Sequence, residues 1–86
     1  MKTLIIEDEA AAVRRLSKLI LDIDSSIEIV DDLDSIENTL EWLKNNPLPD
    51  LIFMDIHLAD GASFEIFNHY DIPKPIIFTT AYNEYA

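Results

Sequence analysis

Acidic side chains directly follow three apolar segments of this 86-residue sequence, and a fourth apolar segment ends in hydroxyl side chains. In chain order these residues are Glu7, Asp8 and Glu9, then Asp31, Asp32 and Asp34, then Asp55, and finally Thr79 and Thr80. If the four segments are parallel strands of one sheet, their carboxyl ends meet at one edge, where open α/β sheets bind ligands. Grouped carboxylates suit Mg²⁺, and an ionised carboxylate can act as a nucleophile. The pattern therefore indicates a candidate cation site at this edge of the sheet.

Asp55 is the most informative of these residues, because it ends a strongly apolar segment beside other acids. An isolated aspartate at the end of a strand more often caps the segment that follows. Acids at two other strand ends and a hydroxyl pair at a third favour a functional site instead. A divalent cation would relieve the like-charge repulsion that such a group of carboxylates creates.

The composition limits the classes of function that the chain can have. Seventeen acidic residues against six basic ones give a net charge of −11, which disfavours binding to nucleic-acid phosphates and suits binding of cations or of a basic partner surface. There are no cysteines, so disulfides and thiolate metal sites are excluded. No apolar run reaches the ~18 residues of a membrane helix, and the N-terminus does not resemble a signal peptide. We therefore expect a cytoplasmic domain with no membrane contact.

Hydrophobic periodicity predicts alternating strands and helices. Continuous apolar runs predict buried strands at 4–6, 51–54 and 76–79, and the alternating run 27–30 predicts an edge strand. A helix over 10–23 should bury Val13, Leu16, Leu19, Ile20 and Ile23. A second helix should begin at Asp34 or Ser35, with capping-box spacing between Asp34 and Glu37, and end near Pro47. A short third helix over about 62–69 presents Phe64 and Phe67, and a fourth starts around Asn83.

The order β-α-β-α-β-α-β predicts an open parallel sheet covered by helices on both faces. A closed eight-stranded barrel is excluded because the chain has too few units. We therefore predict an α/β fold with a doubly wound parallel sheet.

Four segments also resemble the successive signatures of response-regulator receiver domains of two-component systems. These segments are residues 4–9, residues 51–56, Asp60-Gly61 and residues 75–81. Residues 55–61 and 80–86 are similar to receivers attached to LytTR-type DNA-binding domains, as in LytR/AlgR regulators. The resemblance covers nearly the whole chain and implies a flavodoxin-like fold with strand order 2-1-3-4.

The resemblance implies a role for each matching residue. Asp55 would be the phosphoacceptor, Asp8 a direct Mg²⁺ ligand, and Glu7 a ligand through a metal-bound water. The backbone carbonyl of His57 would be a further ligand, and the hydroxyl of Thr80 would bond a phosphoryl oxygen. The implied partner is a sensor histidine kinase. The implied output is a transcriptional domain that this segment does not contain, and the only catalysis would be of the domain's own phosphorylation and dephosphorylation.

The sequence departs from the receiver pattern at its end. Receivers have a fifth strand ending in a conserved lysine, then a final helix, and the sequence ends at Ala86 before either. We therefore expect residues 1–86 to be a partial receiver domain whose fourth strand is an unprotected sheet edge that self-associates.

Two other classes of function stay open at this point. Strand-end acids also build metal-dependent phosphohydrolases, but such sites usually have a second acid two positions after the first, where this chain has His57. The other alternative is an interaction module that acts without phosphorylation.

Overall fold

The four predicted strands form one parallel sheet in the computed structural model, which describes residues 1–79. In chain order the strands are β1 (Lys2–Ile6), β2 (Glu28–Leu33), β3 (Leu51–Asp55), β4 (His57–Leu58), β5 (Gly61–Ala62) and β6 (Ile76–Thr79). The main sheet has the order β2-β1-β3-β6, and β4 and β5 form a separate antiparallel pair. Since β6 is the fourth predicted strand, the predicted α/β fold and the order 2-1-3-4 are confirmed. The fourth predicted helix, around Asn83, lies outside the described residues.

One hydrophobic cluster lies on one face of this sheet, and buried Ile5 and Ile20 lie outside this cluster. Alternate residues of the two central strands point to that face and are fully buried, namely Leu4 and Ile6 of β1 and Ile52 and Met54 of β3. They form one cluster with Leu43 and with Ile66, which come from the two helices that follow β2 and β5. Burial of this apolar surface is the main stabilising contribution to the fold.

Helix α1 (Ala10–Ile23) has the predicted bounds but buries less than its periodicity indicates. Ile20 is its buried residue, whereas Leu19 is 58% exposed and Ile23 is 83% exposed. The prediction that Leu19 and Ile23 are core residues is therefore wrong. The physical reason is that no described element covers the last turn of α1 on that side.

No helix among residues 1–79 is long and apolar enough to cross a membrane.

Helix α2 (Ile36–Asn45) begins one residue later than the proposed capping box requires. Its N-cap is Ser35, whose hydroxyl accepts a hydrogen bond from the amide of Asn38 at 3.0 Å. Asp34 instead accepts from the side chain of Asn38. The predicted Asp34–Glu37 box is thus wrong, because the residue three positions before Asn38 supplies the cap.

The third predicted helix is a 3-10 helix (Ser63–Asn68). Its buried residues are Ser63 and Ile66, while Phe64 and Phe67 are 51% and 39% exposed. A 3-10 helix repeats every three residues, so one side is lined by residues three positions apart, which explains why Ser63 and Ile66 face the core together.

Candidate functional site

Three carboxylates converge where β1 and β3 end. The side chains of Glu7, Asp8 and Asp55 each offer an oxygen within 4.8 Å of the other two. The two strands are parallel neighbours with Ile6 level with Met54, so the residues that follow, Glu7 and Asp55, are also level. Glu7 and Asp55 are buried, at 6% and 5% exposure, whereas Asp8 is exposed. The acidic cluster predicted from the sequence is therefore present.

Glu7 is held in this cluster by its backbone and by its neighbours. Its amide donates to the carbonyl of Leu33 at 2.8 Å, and its Oε2 accepts from the amide of Glu9 at 3.0 Å. Burial raises the pKa of the Glu7 carboxyl to about 7, and the carboxyl groups of Asp8 and Asp55 add to the rise, while the Glu9 amide opposes it. Protonation of Glu7 is therefore easier than for an ordinary glutamate, and a bound cation would favour its ionised form.

The N-terminus of α1 follows the cluster directly. Glu9 is the N-cap residue of α1. Its carboxylate makes no hydrogen bond to the first amides of the helix. The N-terminus of a helix carries a partial positive charge. This charge lies next to Asp8 in sequence and adds to the compensation that the Glu9 amide gives Glu7.

The acids of the second strand lie elsewhere. Asp31 and Asp32 are exposed residues within β2, which extends to Leu33 rather than ending near Val30. They pair with Leu4 and Ile5 of β1, respectively two residues and one residue before the last pair, Ile6 with Leu33. Their expected place at the strand end is therefore wrong, and the structure does not bring them into the cluster.

The remaining predicted site residues are only partly described. His57 is the exposed first residue of β4 and pairs with Ala62, which places its backbone two positions after Asp55. Thr79 is level with Asp55 across the β3–β6 pairing. Thr80 lies outside the described residues, so its role as a phosphoryl ligand stays a prediction.

Asp60 has a contact that sequence reasoning missed. Its Oδ1 accepts from the amide of Ile36 at 2.8 Å and its Oδ2 from the amide of Glu37 at 3.1 Å. These two hydrogen bonds hold the pKa of the Asp60 carboxyl below its usual value, the Ile36 amide having the larger effect. The Asp60-Gly61 pair indicates a turn from sequence alone, and Gly61 does adopt a positive φ of 139°. Nothing in the sequence pairs that turn with residues 24 positions earlier.

The comparisons with known proteins agree with this fold. The chain is 39% identical over 89 residues to the sensory transduction protein LytT of Bacillus anthracis and 36% identical over 89 residues to the transcriptional regulatory protein LytR of Staphylococcus aureus (strain N315). Both alignments cover 100% of this chain and 35% of the relative, so the chain spans about a third of the length of these proteins.

Among solved structures, the chain is similar to the response-regulator REC domain of PhyR from Erythrobacter litoralis. The TM-score is 0.70 at 31% identity, and the match covers 94% of this chain and 63% of that one. No family model matches the chain.

Proposed function

We propose that this chain, which belongs to the receiver domains of response regulators, accepts a phosphoryl group on Asp55 from a sensor histidine kinase in a reaction that requires Mg²⁺. The observation that carries the proposal is the convergence of three carboxylates, within 4.8 Å of one another, at the ends of two adjacent parallel strands. A cluster with this donor set fits a hard divalent cation, which prefers oxygen ligands.

The chemistry requires little from the protein beyond position and charge. An oxygen of ionised Asp55 attacks the phosphorus of the phosphohistidine, the phosphorus–nitrogen bond breaks, and an acyl phosphate forms on Asp55. Mg²⁺, when bound, neutralises charge on the carboxylates and on the incoming phosphoryl oxygens. The domain would thus catalyse no reaction beyond its own phosphorylation and dephosphorylation.

The remaining residues have the following proposed roles. Asp8 and Asp55 bind the cation directly, Glu7 binds it through a water, and the backbone carbonyl of His57 is a further ligand. Thr80 would bond a phosphoryl oxygen after the transfer.

In the intact protein, phosphorylation of this segment would switch a transcriptional output domain. The support is the similarity over the whole chain to the transcriptional regulator LytR. The segment itself is not expected to bind DNA, because its net charge of −11 would repel the phosphate backbone.

We also propose that the chain self-associates through β6. This strand forms the edge of the sheet within residues 1–79, and it exposes Ile77 (46%) and Phe78 (43%) with no charged side chain between Ile76 and Thr79.

Sedimentation at micromolar concentration should show a dimer or larger species in the parent. Ile77→Lys, which places a charge on the edge, should shift the chain to monomer. A parent that is monomeric at all concentrations would contradict the proposal.

The phosphoacceptor assignment is tested by intact mass after incubation with a small phosphodonor and Mg²⁺. The parent should gain one phosphoryl group, and Asp55→Asn should gain none. Asp31→Asn is the matched control, because it removes the same charge from an exposed position on β2 outside the cluster. A phosphoryl gain in Asp55→Asn would contradict the assignment.

A further inference from the structure

The connection between β4 and β5 contacts a second element of the fold at Asp60. Its two carboxylate oxygens accept hydrogen bonds from the amides of Ile36 and Glu37, which are the first two residues of α2. These amides have no acceptor within the helix itself. The third amide, that of Asn38, is satisfied by Ser35. The start of α2 is therefore capped jointly by its own N-cap residue and by a residue from a distant turn.

A second contact joins the same turn to the same helix. Gly61 has φ of 139°, and a Cβ atom at this position would lie 3.4 Å from Cδ1 of Ile36. Ile36 in turn packs against the hydrophobic core. The turn therefore contacts Ile36, the first residue of α2, in two ways. Asp60 accepts a hydrogen bond from its amide, and the backbone of Gly61 lies close to its side chain.

The turn is continuous with the candidate metal site. Its two strands pair His57 with Ala62 and Leu58 with Gly61, and the amide of Ser63 donates to the carbonyl of Ile56 at 2.8 Å. These bonds make residues 56–63 one short hairpin that follows Asp55 directly. Whatever fixes the turn also fixes the backbone of His57.

We propose that Asp60 is a positioning residue that ties this hairpin to α2 and thereby holds in place the backbone of His57, two residues after Asp55 of the carboxylate cluster. The inference deepens the proposed function and rests on it, because the His57 carbonyl matters only if a cation binds Glu7, Asp8 and Asp55. Asp60 itself binds no cation in this scheme, since both its oxygens are occupied by amides of α2.

Replacing Asp60 should have different effects depending on whether it is only a helix cap or also a positioning residue. A cap stabilises α2 alone, so its loss should resemble the loss of the Ser35 cap. A positioning residue affects the hairpin and the cation as well. The pair Asp60→Asn and Ser35→Ala separates the two, because both variants weaken the start of α2 but only Asp60 belongs to the hairpin. Asp34→Asn controls for the loss of one charge beside the same helix, where the carboxylate of Asp34 accepts from the side chain of Asn38.

Two measurements on the whole chain test the proposal. The first is amide exchange of Ser63 without metal, which should be roughly fivefold faster in Asp60→Asn than in the parent as the hairpin opens more often. The second is Mg²⁺ affinity from a titration followed by amide shifts. It should fall roughly tenfold in Asp60→Asn, at the lower end of the usual cost of losing a residue that orients a metal ligand. Ser35→Ala and Asp34→Asn should stay within about twofold of the parent in both measurements.

The outcomes separate failure of this inference from failure of the proposed function. Unchanged Mg²⁺ affinity in Asp60→Asn, or an equal loss in Ser35→Ala, would overturn the positioning role. If the parent itself binds no Mg²⁺, the metal site of the proposed function is wrong. The proposed link between the hairpin and α2 is then judged by the amide exchange of Ser63 alone, and equal rates in Asp60→Asn and the parent overturn it.

Discussion

Two carboxylate environments, the cluster at the ends of β1 and β3 and Asp60 in the β4–β5 connection, shift pKa values in opposite directions. In the cluster, burial and adjacent acids raise the pKa of Glu7 to about 7. Beside α2, the Ile36 and Glu37 amides lower the pKa of Asp60. The difference shows that the fold compensates a negative charge at the start of α2, whereas in the cluster the Glu9 amide offsets only part of the effect of burial and of the adjacent acids. A partly compensated group of acids is the part of the surface that gains most from a cation.

The largest effect that we expect is on the pH dependence of unfolding, and the variant Glu7→Gln tests it in the carboxylate cluster. Because the pKa of folded Glu7 is raised above its usual 4.5, protonation of Glu7 stabilises the fold fully below about pH 4.5, and this stabilisation is lost as the pH rises through about 7. Urea unfolding of the metal-free parent should therefore show falling stability from pH 5 to pH 8. Glu7→Gln should remove that fall and be more stable than the parent at pH 8 by on the order of 1–3 kcal/mol.

Glu28→Gln is the control for that measurement, because Glu28 is an exposed glutamate at the start of β2. It should follow the parent at both pH values. If the stability of Glu7→Gln also followed that of the parent, the burial of Glu7 would have no energetic consequence. The claim that burial raises the pKa of Glu7 would then be wrong.

A cation should supply the missing compensation, and Asp8→Asn tests this. Mg²⁺ at ten times its dissociation constant should stabilise the parent by about 1.4 kcal/mol, because it binds the folded cluster and finds no preformed site in the unfolded chain. The increase in melting temperature should be much smaller in Asp8→Asn. Without metal, that variant should melt at or above the parent, since one repelling charge is gone. An equal Mg²⁺ response in the two proteins would show that Asp8 is not a ligand.

The smallest effect that we expect is at Asp60, where the pH dependence of stability has the opposite sign to that at Glu7. The lowered pKa of Asp60 means that its contribution to stability is present above the pKa of the unfolded chain and is lost as the pH falls through the folded value. Melting temperatures between about pH 5 and pH 3 should therefore fall less steeply in Asp60→Asn than in the parent. Asp34→Asn should keep the steeper fall. The same slope in Asp60→Asn and the parent would mean that the two amides do not stabilise the charge.

The sequence predicted what depends on strand ends and missed what depends on contacts between distant loops. The apolar runs before Glu7 and Asp55 predicted the sheet and the meeting of these residues, because parallel neighbours bring their carboxyl ends together. The bond from Asp60 to α2 could not be predicted, since it joins residues 24 positions apart through a turn whose placement depends on packing. Asp31 and Asp32 were misplaced because the pairing with β1 extends β2 beyond its apolar residues.

The local errors have similar physical causes. Asp34 and Ser35 are both good N-cap residues, and only the backbone of the helix start decides between them. The six-residue 3-10 helix has too few residues for its sequence to distinguish a period of 3.0 from one of 3.6.

The pairing of β1 with β3 has a kinetic consequence for the cluster. Lys2 and Asp50, which lie 48 positions apart, bond each other at the start of this pairing, with the Lys2 amide donating to the Asp50 carboxylate and the Asp50 amide to the Lys2 carbonyl. Glu7 and Asp55 meet only after this long loop has closed, which is a slow and entropically costly event. The carboxylates then need placement to within a few ångströms, so the complete cation site belongs to the native state rather than to the folding transition state. A bound cation should therefore lengthen the lifetime of the folded domain and leave its refolding rate almost unchanged.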